Sequence, residues 1–405
     1  MEQIYIFSLL DFITRTTIEK GNQTLKLSRK LKIIAVALIL ASIPIIVFSS
    51  HFIQLTLMEH ISLKEFIVRM IAANQNLNVS SPMYGSFYNS SWPTMQAIDV
   101  LNTLGGFSSI DDDAVLQFLI GPSQTGPADQ PMKSNPEYNE CQAFLIVHTA
   151  SVLGRLEELP GSLIEQIRET IRVNQNSTIG TPDWRADRAF LFETARLLNE
   201  TRYINFTLQK QDIIDWMHGH IWLSDRKIGG IFLDVKALEE ISIMERGWTI
   251  ADLPEMTRNF LLFYILSLWD DAHYGFYKNF GEYYPKYYEP TLETTSYAVR
   301  AYEKVFGTSR RPFQTPYSTE HKPFMRKVGN SYEKLLAFLK TRQNRYGIFF
   351  DKTSDVDDKV TSLQLWPAYN AVSILQTIDR LDFLNQTVRW PAQPTFVESL
   401  GDRFG

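Results

Sequence analysis

The chain has one cysteine, Cys141, among 405 residues. It therefore forms no internal disulfide and no multi-cysteine zinc cluster. It also lacks an excess of either charge: 40 Lys plus Arg stand against 45 Asp plus Glu, a formal net charge of −5. A nucleic-acid surface built on bulk positive charge is thereby excluded, and no nucleic-acid partner is expected. The strict glycine period of collagen and the sustained heptads of a coiled coil are missing too. What is present is 44% hydrophobic and 13% aromatic residues, enough to bury a sizeable core and too much for a disordered chain.

One local absence matters more. From Ile33 through Met58 there is no Asp, Glu, Lys or Arg, and Lys26, Arg29, Lys30 and Lys32 stand immediately before it. On length and one-sided basic flank, residues 33–57 are expected to form a single transmembrane helix. Residues 1–32 would then be cytoplasmic and residues 61–405 an extracytoplasmic domain. Asn-x-Ser/Thr triplets begin at Asn22, Asn78, Asn89, Asn176, Asn199, Asn205 and Asn385; these glycosylation acceptors agree with export.

The rest of the chain repeats itself. Tyr84-Gly85-Ser86-Phe87 precedes Pro93-Thr94-Met95-Gln96-Ala97; Tyr274-Gly275-Phe276 precedes Pro290-Thr291-Leu292-Glu293; Tyr346-Gly347-Ile348-Phe349 precedes Ser362-Leu363-Gln364. Weaker copies lie around 141–154 and 190–199. Expected helix ends at Gly105, Gly154, Asn199 and Gly307 lie 49, 45 and 108 residues apart, the last interval holding two units. A period of this size indicates stacked supersecondary units.

Each unit has helical phase. Ala97, Val100, Leu101 and Leu104 fall at i, i+3, i+4 and i+7, as do Ala143, Ile146, Val147 and Ala150, and Ala298, Ala301, Tyr302 and Val305. Second helices are expected over Val115–Ile120, Leu163–Val173, Phe260–Leu268 and Tyr332–Leu339. Asp111, Asp112 and Asp113 sit where a helix start favours negative charge. Such hairpins cannot bury their apolar faces alone, so successive copies must stack.

The Gly-aromatic loop, the polar segment, the Pro-Thr helix start and the Leu-Gly close followed by acids resemble the prenyltransferase and squalene oxidase repeat of protein prenyltransferase β subunits and triterpene cyclases. The resemblance covers roughly 61–398 and is strongest at 84–118, 258–307 and 333–384. It implies an all-α fold, an α/α toroid of about five to six helical hairpins behind the transmembrane helix. Its inner helices would line an aromatic-rich cavity for an isoprenoid chain. Fold alone does not fix activity.

The resemblance also implies where chemistry would sit. Protein prenyltransferases hold zinc with an Asp-x-Cys pair and a distant His. The matching residues here are Asn139-Glu140-Cys141, with His148 seven positions on. An amide is a poor zinc ligand, and seven residues rise about 10 Å along a helix. Zinc on Cys141 and His148 is therefore disfavoured, and no cofactor is expected. Cyclases protonate an alkene with Asp-x-Asp-Asp, which Asp355-Val356-Asp357-Asp358 matches, although Lys359 follows. A solvated acidic loop is the competing reading. Asp270-Asp271-Ala272-His273 reads as a loop, and His218 and His220 as interfacial or structural. Tyr297, Trp366 and Tyr369 are the candidates for contacting a ligand, with Tyr283, Tyr284, Tyr287 and Tyr288 clustered nearby in sequence.

Three functions follow as expectations. The first is a prenyltransferase-like domain without zinc chemistry that binds an isoprenoid, a lipid chain or a protein partner. The second is a cyclase-like enzyme using Asp357, or a transferase with altered zinc ligands. The third is a carbohydrate-active protein, which requires a pair of inward carboxylates.

Overall fold

The computed structural model describes residues 58–121, 136–174, 184–220, 227–270, 272–278, 289–306, 331–357 and 363–391. The chain divides into two compact units, His60–Trp390 and a smaller one of Met1–Glu59 with Pro391–Gly405. All described helices belong to the larger unit.

In chain order these are α1 (Leu63–Ala73), α2 (Ser91–Leu104), α3 (Asp112–Ile120), α4 (Pro136–Val152), α5 (Gly161–Asn174), α6 (Trp184–Leu197), α7 (Phe206–His220), α8 (Ile228–Met244), α9 (Glu255–Ser267), α10 (Leu292–Phe306), α11 (Ser331–Thr341) and α12 (Leu365–Thr377). The second-helix segments expected from the sequence fall in α3, α5, α9 and α11.

Helix endings show the repeat at atomic level. Past α2, α4, α6 and α12 the chain enters the left-handed region at Gly105, Gly154, Asn199 and Asp379. At each end the following amide closes back five residues: Gly106 N to Leu101 O at 2.7 Å, Arg155 N to Ala150 O at 2.8 Å, Glu200 N to Ala195 O at 2.7 Å and Arg380 N to Leu375 O at 2.8 Å. This is the Schellman closure, which satisfies the last helical carbonyls. A short 3-10 turn follows at Phe107–Ser109, Leu156–Glu158, Thr201–Tyr203 and Leu381–Asn385. Asp111 then caps α3 by accepting from the Ala114 amide at 2.9 Å, as its place before the helix implies.

The Gly-aromatic loops dock onto the next helix through a threonine. The Phe87 amide donates to Thr94 Oγ1 at 3.0 Å, and the Phe276 amide donates to Thr295 Oγ1 at 3.1 Å. Gly85 has φ +87°, and a Cβ there would lie 1.8 Å from the Ala114 carbonyl oxygen. Gly85→Ala therefore meets both backbone strain and a backbone clash, and is expected to cost about 2–4 kcal/mol by chemical denaturation. A loss under 0.5 kcal/mol would show that this loop is not held as described.

The even-numbered helices pack in a cycle. α2 lies against α4, α4 against α6, α6 against α8, α8 against α10, α10 against α12, and α12 against α2. Small buried residues permit the close approach: Ala97, Ala143, Ala150, Ala189, Ala195, Ala237, Ala298, Ala301, Ala368 and Ala371 are all almost fully buried. Odd-numbered helices pack on this cycle, α1 on α2, α3 on α4, α5 on α4 and α6, α7 on α8, and α9 on α7 and α10. Phe66, Ile98, Val147, Ile167, Phe192, Val235, Ile265 and Leu339 fill the main core between them.

The expected all-α toroid behind one transmembrane helix needs correction. Two-stranded sheets accompany the helices: β1 (Met58–Ser62) pairs with β4 (Thr387–Pro391), and β2 (Trp269–Asp270) pairs antiparallel with β3 (Gly275–Phe276). Among the described residues, no helix is long and apolar enough to cross a membrane. The longest, α4 and α8, have 17 residues, about 26 Å against a hydrocarbon core of about 30 Å. α8 also carries Asp234, Lys236, Glu239 and Glu240. The single-pass placement, cytoplasmic N-terminus and exported domain lose their support with it; residues 1–32 and 33–57 lie outside the described residues. What the packing establishes is a helical repeat closed into a cycle of neighbours, not the toroid expected.

Candidate functional site

The even-numbered helices bring aromatic residues together. Phe144 of α4 stacks on Phe190 of α6, with centroids 4.4 Å apart and planes at 19°. Trp92 of α2 meets Phe190 edge-on at 5.6 Å and Phe144 at 6.4 Å. With Met95, Leu145 and Cys141 these rings form an apolar cluster separate from the main core. Trp92 and Phe190 are only half-buried. The next helices carry two more stacks, Phe232 of α8 on Tyr297 of α10 at 5.2 Å and Trp366 on Tyr369 within α12 at 5.8 Å. Tyr297 uses the space over Gly229, where a Cβ would come within 3.3 Å of its ring. This close approach accounts for Gly229 inside α8 despite its helical cost.

Beyond the rings, three to seven residues further along the same helices, lies a row of charges. His148 Nε2 meets Asp99 Oδ1 at 2.8 Å and its Nδ1 meets Glu193 Oε1 at 2.6 Å. Glu193 Oε2 in turn pairs with Lys236 Nζ at 2.6 Å. One residue from each of α2, α4, α6 and α8 is thus linked in series, with alternating charge. Lys236 also sits 4.9 Å above the Phe144 ring and 5.8 Å from that of Phe190, a cation over two aromatic faces. Burial pulls the His148 imidazole down, but its hydrogen bonds to Asp99 and Glu193 outweigh this and push it up to about 9. It is an imidazolium at neutral pH, donating from both nitrogens. Burial raises the Glu193 carboxyl, while Lys236 and His148 more than reverse this and hold it well below the usual range. Deeper in the packing, Arg196 pairs with the buried Glu240 at 2.5 Å, and Lys304 pairs with Glu239.

The sequence candidates fare unequally. Tyr297, Trp366 and Tyr369 are half-buried and lie on the adjoining helices α10 and α12. Burial pushes the Tyr297 hydroxyl up, with the nearby Glu293 carboxyl adding to it. Cys141 and His148 share α4 but not a site. Cys141 belongs to the apolar cluster, and His148 spends both ring nitrogens on carboxylates, leaving no lone pair for a metal. These residues do not fit zinc. The tight acidic trio among the described residues, Asp111, Asp112 and Asp113, is engaged in capping α3 and in pairing with Arg155. Asp355 ends a 3-10 turn and is exposed, as is Asp357, while Asp358 lies outside the described residues. Water solvates such carboxyls, whereas alkene protonation requires burial that holds the proton on. His218 bonds Thr257 Oγ1 at 2.5 Å, tying α7 to α9, and His273 bonds Asp270 in the β2–β3 turn. The tyrosines at 283–288 lie outside the described residues. The sequon asparagines Asn78, Asn89, Asn199, Asn205 and Asn385 are all exposed.

Asp99, Glu193 and Lys236 were not singled out by sequence reasoning, yet a signal existed. Asp99, His148 and Glu193 are 49 and 45 residues apart, the same intervals that separate Gly105, Gly154 and Asn199. Equal offsets in stacked repeats place residues at one level.

No protein-family model and no curated protein matches this chain. Chemically, the arrangement offers an apolar, aromatic face bordered by charges that already satisfy one another.

Proposed function

We propose that the chain is a prenyltransferase-repeat-like binding protein that acts without zinc chemistry and holds an isoprenoid or other lipid chain against the aromatic residues of α2, α4 and α6. The observation that carries this reading is the Trp92–Phe144–Phe190 group. It stands apart from the main core, gathers rings from three helices and leaves two of them half-buried. Partly open rings offer flat apolar surface to a chain.

Calorimetric titration of the full-length protein with geranylgeraniol carried by cyclodextrin tests the proposal. Saturable binding is expected, and Trp92→Ala or Phe190→Ala should raise Kd at least tenfold, about 1.4 kcal/mol. Absence of binding by the folded protein would reject the lipid reading in favour of a protein partner. Metal analysis of the same preparation should return far less than one zinc per chain, because His148 is already committed; stoichiometric zinc would restore the transferase alternative.

A further inference from the structure

The aromatic cluster and the row of charges share helix faces. On α2, Trp92, Met95 and Asp99 fall at i, i+3 and i+7; on α4, Cys141, Phe144 and His148 do the same; on α6, Phe190 and Glu193 are three apart. The two layers touch. The Phe144 and His148 rings have centroids 5.1 Å apart, and Lys236 lies over Phe144 and Phe190. An apolar chain laid on Trp92 and Phe190 therefore meets the row at one of its ends.

The row restricts what that end can carry. His148 spends its nitrogens on Asp99 and Glu193, and Lys236 is held by Glu193. Two carboxylates face two cations, so neither an anionic nor a cationic head group finds an opposite charge to spare. The charges on neighbouring elements do not alter this. Arg188 of α6 turns to Asp212 of α7, and Glu239 and Glu240 of α8 are taken by Lys304 and Arg196. α10 also carries Glu293, Arg300 and Glu303, but it packs on α8 and α12, and Arg300 lies over Phe232 of the main core, not over these rings.

One atom of the row remains unspent. Asp99 has the most exposed of the four side chains, 23% against 7–17% for the others. Its Oδ1 faces His148, while among the described residues its Oδ2 has no hydrogen-bond partner. A carboxylate oxygen accepts and never donates, so it selects a ligand group that carries O–H or N–H. A hydroxyl meets this demand without adding a charge.

We infer that Asp99 accepts a hydrogen bond from the hydroxyl of an uncharged lipid alcohol whose hydrocarbon lies on the Trp92, Phe144 and Phe190 rings. This inference rests on the lipid-binding reading and adds the head group.

The test uses full-length protein at neutral pH and four probes with one hydrocarbon: geranylgeraniol, its methyl ether, geranylgeranoic acid and geranylgeranylamine, each titrated calorimetrically. The alcohol should bind at least about tenfold more tightly than the acid, whose carboxylate would face Asp99, and than the amine, whose charge would be left uncompensated. It should bind about fivefold more tightly than the ether, which cannot donate. In Asp99→Asn the amide turns its oxygen to His148 and its NH2 group to the ligand, and a hydroxyl and an ether oxygen both accept from it. The advantage of the alcohol over the ether should then vanish, whereas a purely structural Asp99 would weaken both and keep their ratio. Equal wild-type affinity for alcohol and ether, an acid or amine that matches or outbinds the alcohol, or an unchanged ratio in Asp99→Asn would each overturn the assignment. The wild-type series decides the matter even where the variant fails to fold. Binding of alcohol and ether without discrimination rejects only the head group; binding of no probe rejects the lipid reading as well.

Discussion

Glu193→Ala is expected to destabilise the protein by about 3–5 kcal/mol, the cost of leaving buried charges without their partner. Glu193 is 5% exposed and joins His148 to Lys236, so its removal leaves the Lys236 ammonium without its carboxylate and the imidazolium with Asp99 alone. The penalty comes from desolvation, not from the worth of the pairs. A control separates the two: replacing Glu193 by Leu and Lys236 by Met together removes both members of one pair and should cost clearly less than Glu193→Ala alone. Urea denaturation of the three proteins reads this directly. If Glu193→Ala loses less than 1 kcal/mol, the network is wet and the alternating row is not the fixed feature described here. A double variant as unstable as the single one would move the cost to packing of the aliphatic stems.

Much of the fold could be read from spacing because it depends on near neighbours. The phase of Ala97, Val100, Leu101 and Leu104 set the buried face of α2, and all four are buried. Gly105, Gly154 and Asn199 mark helix ends because a left-handed residue there closes the last turn. Asp111 marked a helix start by the chemistry of its side chain. Other features depend on partners that sequence does not display. Gly229 lies inside α8 with the Tyr297 ring of another helix packed over it, a contact that no local pattern shows. The β1–β4 pair joins segments more than 300 residues apart, and no local pattern announces it. The aromatic candidates Tyr297, Trp366 and Tyr369 were visible as residue types. The cluster made by Trp92, Phe144 and Phe190 required knowing which helices are neighbours. Asp355 and Asp357 matched a motif by letter, but a motif whose chemistry needs burial says little until exposure is known.

The same network gives the stability a pH profile whose sign is fixed by His148. Its folded value is raised from 6.5 to about 9, so the folded state binds this proton more tightly than the unfolded chain does. The contribution is fully present below about pH 6.5 and is lost as pH rises through 9. A shift of this size corresponds to about 3 kcal/mol. Glu193 acts in the opposite sense, its lowered carboxyl value adding stability above the ordinary glutamate range that is lost on acidification. Both shifts draw on one hydrogen bond, so their contributions are not added. Stability should therefore be highest between about pH 5 and 6.5 and should fall by about 3 kcal/mol by pH 9.5, as measured by urea midpoints across that range. In His148→Gln the alkaline loss between pH 6.5 and 9 should vanish, because glutamine can bridge Asp99 and Glu193 without titrating there, while the loss on acidification should remain. A variant that keeps the alkaline slope would assign it to another group and remove His148 from the centre of the row.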